Sequence, residues 1–130
     1  MSVEINLPEP LAELTEAFRR YEAALVGNDV ATLDALFAPG PHTIRYGIGE
    51  NLYGGAEILA FRQARPSVGL ARRLSRTVIT TYGRDFGTAS TLFHRESASG
   101  KVGRQMQSWV RFPEGWRVVA AHVSLIDHPA

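Results

Sequence analysis

The chain has 130 residues, 45% apolar and 21% charged, which suits one globular domain spanning residues 1–130 and excludes a disordered tail. Fourteen basic against thirteen acidic residues leave a net charge of +1, too little for charge-driven nucleic-acid binding, and no apolar run approaches the ~20 residues of a membrane helix. Cysteine is absent, which excludes disulfides, thiolate metal sites and cysteine nucleophiles, and the start has no signal-like pattern, so the expected address is cytoplasmic.

The first half reads as helical. Leu7, Leu11, Leu14, Phe18, Tyr21 and Leu25 recur every three or four residues, the stripe of an amphipathic helix. Pro8 and Pro10 suit its first turn and Gly27 its C-terminal end. Asn28 or Asp29 then caps a short second helix carrying Val30, Leu33, Leu36 and Phe37, stopped by Pro39-Gly40-Pro41. His42 to Tyr46 alternates like a short strand broken by Gly47 and Gly49, and Gly54-Gly55 precedes a third helix through Ala64. The rest reads as a meander with strands near 72–82, 86–96, 102–112 and 116–126, separated by turn residues.

Helices first and a long antiparallel meander second imply an α+β fold. Three N-terminal helices pack on one face of a strongly curved, mostly antiparallel sheet, forming a cone with an internal pocket. By strict alternation the last strand is apolar on both faces: Val118 and Ala120 share a parity with His122 and Ser124, and Val119, Ala121, Val123 and Leu125 share the other. Helices cover only one face, so the other is expected to meet a second copy of the chain in a homodimer.

Thirteen of the fourteen basic residues are arginine, with Lys101 the only lysine. A GC-rich genome accounts for such a bias as a whole, so each arginine is judged by its place. Tyr21 lies on the apolar stripe, where its phenol is either a satisfied core group or a proton donor at the pocket. Arg45, in the short strand, is either a surface residue or a bidentate clamp for a carboxylate. Arg62 and Arg65 share one side of the third helix, and their destination is open. His122 and Ser124 are polar positions in an apolar strand, expected to line a cavity. The preceding strand offers Gln105, Gln107 and Trp109 on one parity and Met106 and Ser108 on the other. The glutamine–tryptophan set is preferred inside, but a one-residue change in register swaps the faces.

Several constellations are missing. There is no nucleophile elbow, zincin motif or phosphate loop, and the four histidines lack metal-ligand spacing, so no metal is expected. Glu96 is the only carboxylate beside the candidate pocket strands, which gives a two-carboxylate mechanism little support.

The closing stretch Gly115-Trp116-Arg117-Val118-Val119, followed by His122-Val123-Ser124, resembles the nuclear-transport-factor-2-like (cystatin-like, SnoaL-like) superfamily. More specific are Phe18-Arg19-Arg20-Tyr21-Glu22, Arg45-Tyr46-Gly47-Ile48-Gly49-Glu50-Asn51-Leu52-Tyr53-Gly54, Phe61-Arg62-Gln63-Ala64-Arg65 and Gly103-Arg104-Gln105-Met106-Gln107-Ser108-Trp109. Together, from about residue 10 to 127, they resemble the AtzH-like branch, which includes HpxZ-like proteins of oxalurate catabolism. The resemblance implies a cofactor-independent decarboxylating amidohydrolase that removes a carboxyl group from 1,3-dicarboxyurea to leave allophanate. It implies Tyr21 and Arg45 as the catalytic pair and a small acidic metabolite as partner, while Gln107, Trp109, His122 and Ser124 are substrate-binding candidates from their strand positions alone. The same fold also hosts non-catalytic ligand- or partner-binding modules, and isomerases or cyclases acting on larger apolar molecules.

Overall fold

The computed structural model describes residues 2–128. Helix α1 (Pro8–Val26) has its prolines in the first turn, where a missing N–H costs nothing, and its spaced residues Leu14, Phe18, Tyr21 and Leu25 are buried. Of the two candidate caps, Asp29 starts α2 (Val30–Leu36), accepting the Thr32 N–H at 3.2 Å. Asn28 instead takes the left-handed turn, at φ 52°.

Strand β1 is short (Ile44–Tyr46), and a turn through Gly47 leads to a second short strand, β2 (Asn51–Tyr53), which the sequence pattern does not reveal. After α3 (Gly55–Ala64) come β3 (Arg73–Tyr82), β4 (Phe86–His94), β5 (Lys101–Phe112) and β6 (Gly115–Asp127). These lie within two residues of the predicted bounds, β4 ending earlier because a single 3-10 turn occupies Glu96–Ala98.

All six strands join one sheet in the order β2-β1-β6-β5-β4-β3. Its pairs are antiparallel except β1 with β6, which is parallel. The three helices pack on this mixed sheet, giving the expected α+β architecture. Leu14, Phe18, Leu33, Phe37 and Ile58 from the helical side meet Ala89, Trp109 and Val118 from the sheet. Each large apolar side chain fully buried here contributes about 1.5–3 kcal/mol. No helix among the described residues is long and apolar enough to cross a membrane.

One feature of the last hairpin corrects the alternation argument. Ser108 pairs with Ala120 but Trp109 pairs with Val118, so Val119 is an extra residue. This bulge reverses the parity of β6 partway along. The buried inner set is therefore Trp116, Val118, Ala121 and Val123, drawn from both parities. Ala120 and His122 are exposed and Ser124 is half-buried. Four apolar residues of both parities thus face inward, while Ala120 and Ile126 stay exposed.

Candidate active site

A pocket of about 170 Å³ lies between α1, the β1–β2 turn, the end of α3 and the inner face of β5 and β6. It is small beside the 300–1,000 Å³ typical of drug-sized sites, so its ligand has few atoms. Arg45 enters it from one end of a row of register partners on the inner face of the sheet. Arg45 on β1 neighbours Ala121 on β6, which faces Gln107 on β5, which faces Ala89 on β4. The alanines leave room for the long polar side chains between them.

Tyr21 and Arg45 both line this pocket and both are buried. The Tyr21 ring is held edge-on by Trp109, with centroids 6.5 Å apart, and tilted against Phe37 at 6.1 Å. Arg45 lies over the Phe61 ring at 5.4 Å and donates from Nη1 to Glu50 Oε1 at 3.1 Å. Among the described residues its buried Nε has no partner, which leaves the Nε–Nη2 edge of the fork for another acceptor.

More guanidinium groups converge here. Arg65 shares the Phe61 ring at 5.8 Å, and its Nε and Nη2 are both buried with no partner among the described residues. Burial, then the neighbouring Arg62 and Arg45 charges, push Arg65 down to about 10. Arg72 and Arg95 stack on Phe93 at 4.6 and 5.0 Å. Arg72 forks onto Glu22 through Nε at 2.9 Å and Nη2 at 2.6 Å, and Nη2 also donates to Gln105 Oε1 at 3.1 Å. Arg95 Nε is unpartnered, and burial, then Arg72, hold this guanidinium below its ordinary range.

Arg62 is the extreme case. It is 1% exposed, lies 4.7 Å over the Phe37 ring, and none of its three guanidinium nitrogens has a partner among the described residues. Burial lowers its pKa and the nearby Tyr21 phenol offsets part of that effect, although no hydrogen bond of good geometry joins the two.

The structure thus brings Tyr21, Arg45 and Arg65 together, with Arg62 behind them. Gln107 and Trp109 are buried on the same face of the sheet, as preferred, but they do not line the pocket. Trp109 Nε1 donates to Gln107 Oε1 at 3.0 Å, so the Gln107 amide nitrogen is left as an unpartnered donor.

His122 and Ser124 are not in the cavity. They sit on the opposite face, because the Val119 bulge places Ala121 and Val123 inward. His122 stands edge-on to Tyr46 with centroids 6.4 Å apart, and Ser124 Oγ accepts from Arg104 Nε at 3.3 Å.

Glu96 belongs to an adjoining outer cleft of about 750 Å³ that shares Arg72 and Arg95 with the pocket. The carboxylate that does line the pocket is Glu50. Arg95 was within reach of the sequence, since Ala89, Thr91 and Phe93 alternate inward along β4 and Arg95 continues their parity. Arg72 likewise continues the inward parity of Leu74. Glu50 had no such signal, because it acts from a turn.

Chemically, this is a donor-lined site. Four arginines line it with a single carboxylate among the described residues, and several buried N–H groups have no acceptor. Leaving such groups unpaired costs roughly 1–3 kcal/mol each, more when charged. A planar two-oxygen anion fits the free forks of Arg45 and Arg65, as Glu22 already fits Arg72.

The AtzH-like family model matches residues 3–129. A crystal structure from Pectobacterium atrosepticum, of a protein of unknown function in the DUF3225 family, is 62% identical with a TM-score of 0.92 over 95% of each chain. A cystatin-like fold protein from Burkholderia xenovorans is 48% identical, with a TM-score of 0.93 over 98% of this chain and 100% of that one. An uncharacterised cystatin-like protein from Caulobacter vibrioides is only 14% identical, with a TM-score of 0.76 over 92% and 91%, and shares the fold alone. No curated protein matches the chain.

Proposed function

The chain belongs to the AtzH-like family, and from that membership and the donor-lined pocket we propose that it is a cofactor-independent decarboxylating amidohydrolase acting on small carboxylated ureas. The observation that carries the reading is the set of buried, unpartnered N–H groups on Arg45 and Arg65 beside the Tyr21 phenol. A dicarboxylated urea is small, planar, doubly anionic and rich in acceptors, which is what such a lining calls for.

In the proposed reaction, Arg45 holds a ligand carboxylate through its Nε–Nη2 edge. The bond between nitrogen and the departing carboxyl carbon breaks, its electron pair stays on nitrogen, and the carbon leaves as CO₂. Tyr21 gives its proton to that nitrogen and is reprotonated from water. Negative charge developing on the urea falls among fixed guanidinium groups, which need no reorganisation at that moment. N-carboxylated ureas already lose CO₂ readily, so this help suffices without a cofactor.

Release of CO₂ from 1,3-dicarboxyurea tests the reading. Tyr21→Phe is expected to lower kcat about 10²–10⁴-fold while ligand binding persists, the range for one general acid. Arg45→Met is expected to act mainly through weaker binding. If the unsubstituted protein turns over neither carboxylated ureas nor oxalurate, yet binds them, the protein is a binding module and the catalytic reading fails.

A homodimer through the outer face of the sheet is part of the same proposal. Val78, Ser90, Met106, His122 and Tyr46 are successive register partners across that face. Val78 and Met106 are 58% and 59% exposed, and Tyr46 is 38% exposed. The exposed side chains of Val78, Met106 and Tyr46 in this row, rather than the composition of β6 alone, support an isologous contact.

A further inference from the structure

Among the described residues, the pocket presents one carboxylate against many donors. Glu22 is no second acceptor, because it stands outside the pocket lining and holds Arg72 in a two-point fork, and the Gln105 carbonyl is taken by the same guanidinium. Glu50 differs. Its Oε1 accepts from Arg45 Nη1 at 3.1 Å and its Oε2 from the Gly49 N–H at 3.3 Å. A carboxylate has about four lone-pair positions, so capacity remains. The side chain is 24% exposed and lines the pocket.

Its place is built by the turn. A Cβ at Gly47 would overlap the Glu50 carboxylate and crowd Arg45, so only glycine there lets the carboxylate reach this position.

We propose that Glu50 is a specificity-determining residue that accepts an N–H from the ligand while the guanidinium groups take its carboxylate. The pocket thereby selects carboxylates that carry an N–H donor over those of the same charge and shape that lack one. A methyl or methylene against Glu50 strips water from an ionised oxygen and returns no hydrogen bond, which is how a polar site rejects an isostere. This inference rests on the acid-binding reading above and extends it from charge to donor pattern.

Oxamate and pyruvate provide the test. Both are small monocarboxylates, and they differ only in an amide nitrogen against a methyl carbon. Calorimetric titration of the unsubstituted protein is expected to give oxamate roughly tenfold tighter binding or more, the scale of one hydrogen bond to a charged acceptor. Glu50→Ala is expected to bring the two affinities within about threefold and to tighten pyruvate, since a competing carboxylate has left Arg45. Glu50→Gln, which keeps an acceptor oxygen and the shape of the turn, is expected to retain part of the preference.

Equal binding of the two ligands to the unsubstituted protein overturns the role of Glu50 and leaves the acid pocket standing. An oxamate preference that survives in Glu50→Ala does the same. If neither ligand binds, the acid-pocket reading itself falls, and this inference with it.

Discussion

Replacing Arg62 with methionine is expected to stabilise the protein while weakening its site. Taking an unpaired guanidinium out of water costs several kcal/mol. Against this, the contact with Phe37 at 4.7 Å returns about 2 kcal/mol when desolvated, and the Tyr21 phenol offsets a further part. Methionine has similar length, no charge, and a thioether that packs against an aromatic ring. The net gain expected is about 1–3 kcal/mol, or roughly 4–12 °C in Tm for a domain of this size. Urea unfolding, followed by the fluorescence of buried Trp109 and Trp116, measures it directly. Adding malonate completes the experiment. At a hundred times its Kd, a ligand stabilises by about 2.7 kcal/mol, and that increment should shrink in Arg62→Met because a charge behind Tyr21 and Arg45 has gone. A loss of more than about 1 kcal/mol without malonate would refute the reasoning, since it would mean that Arg62 is well paired inside the fold.

Two further outcomes follow from the same packing. A Cβ at Gly103 would overlap the buried Phe93 ring that carries Arg72 and Arg95, so Gly103→Ala should cost about 1–3 kcal/mol and weaken malonate binding. In a Phe93→Ala background that cost should vanish, and additivity of the two substitutions within about 0.5 kcal/mol would contradict the clash. The second concerns pH. Arg65 is held down to about 10 in the folded protein, well below an ordinary guanidinium, so above that value the unfolded chain binds more protons. Stability contributed by this group therefore rises as pH passes that point, and the unfolding free energy of the unsubstituted protein minus that of Arg65→Met should increase from about pH 9 to pH 11. A flat difference would count against a crowded, desolvated Arg65.

Much of the fold was legible because the relevant signals are local and periodic. The spacing from Leu14 to Leu25 set the buried face of α1, Asp29 could be named as a candidate cap, and turn residues bounded β3 to β6. The shared parity of Gln105 and Gln107 on β5 was also readable, but it was the register of the hairpin that decided the preferred inward face. What failed was the extension of alternation through β6. One extra residue at Val119 moved His122 and Ser124 to the outer face, and a bulge leaves no mark that separates it from regular alternation in an apolar run. The charge of the site was hidden for another reason. Arg72 and Arg95 lie at strand ends, where parity could have been followed one step further, whereas Glu50 reaches Arg45 only through a turn shaped by Gly47. Tyr21 and Arg45 were each singled out separately. Their meeting depends on the parallel pairing of β1 with β6, which no local pattern announces.

The most direct test of the central claim is a crystal structure of the protein with oxalurate or malonate. The account predicts density for a carboxylate on the Nε–Nη2 edge of Arg45, within hydrogen-bond reach of the Tyr21 hydroxyl, with Arg65 closing from the other side. Ligand bound elsewhere, or an Arg45 fork turned away from it toward solvent, would contradict an acid-binding active site.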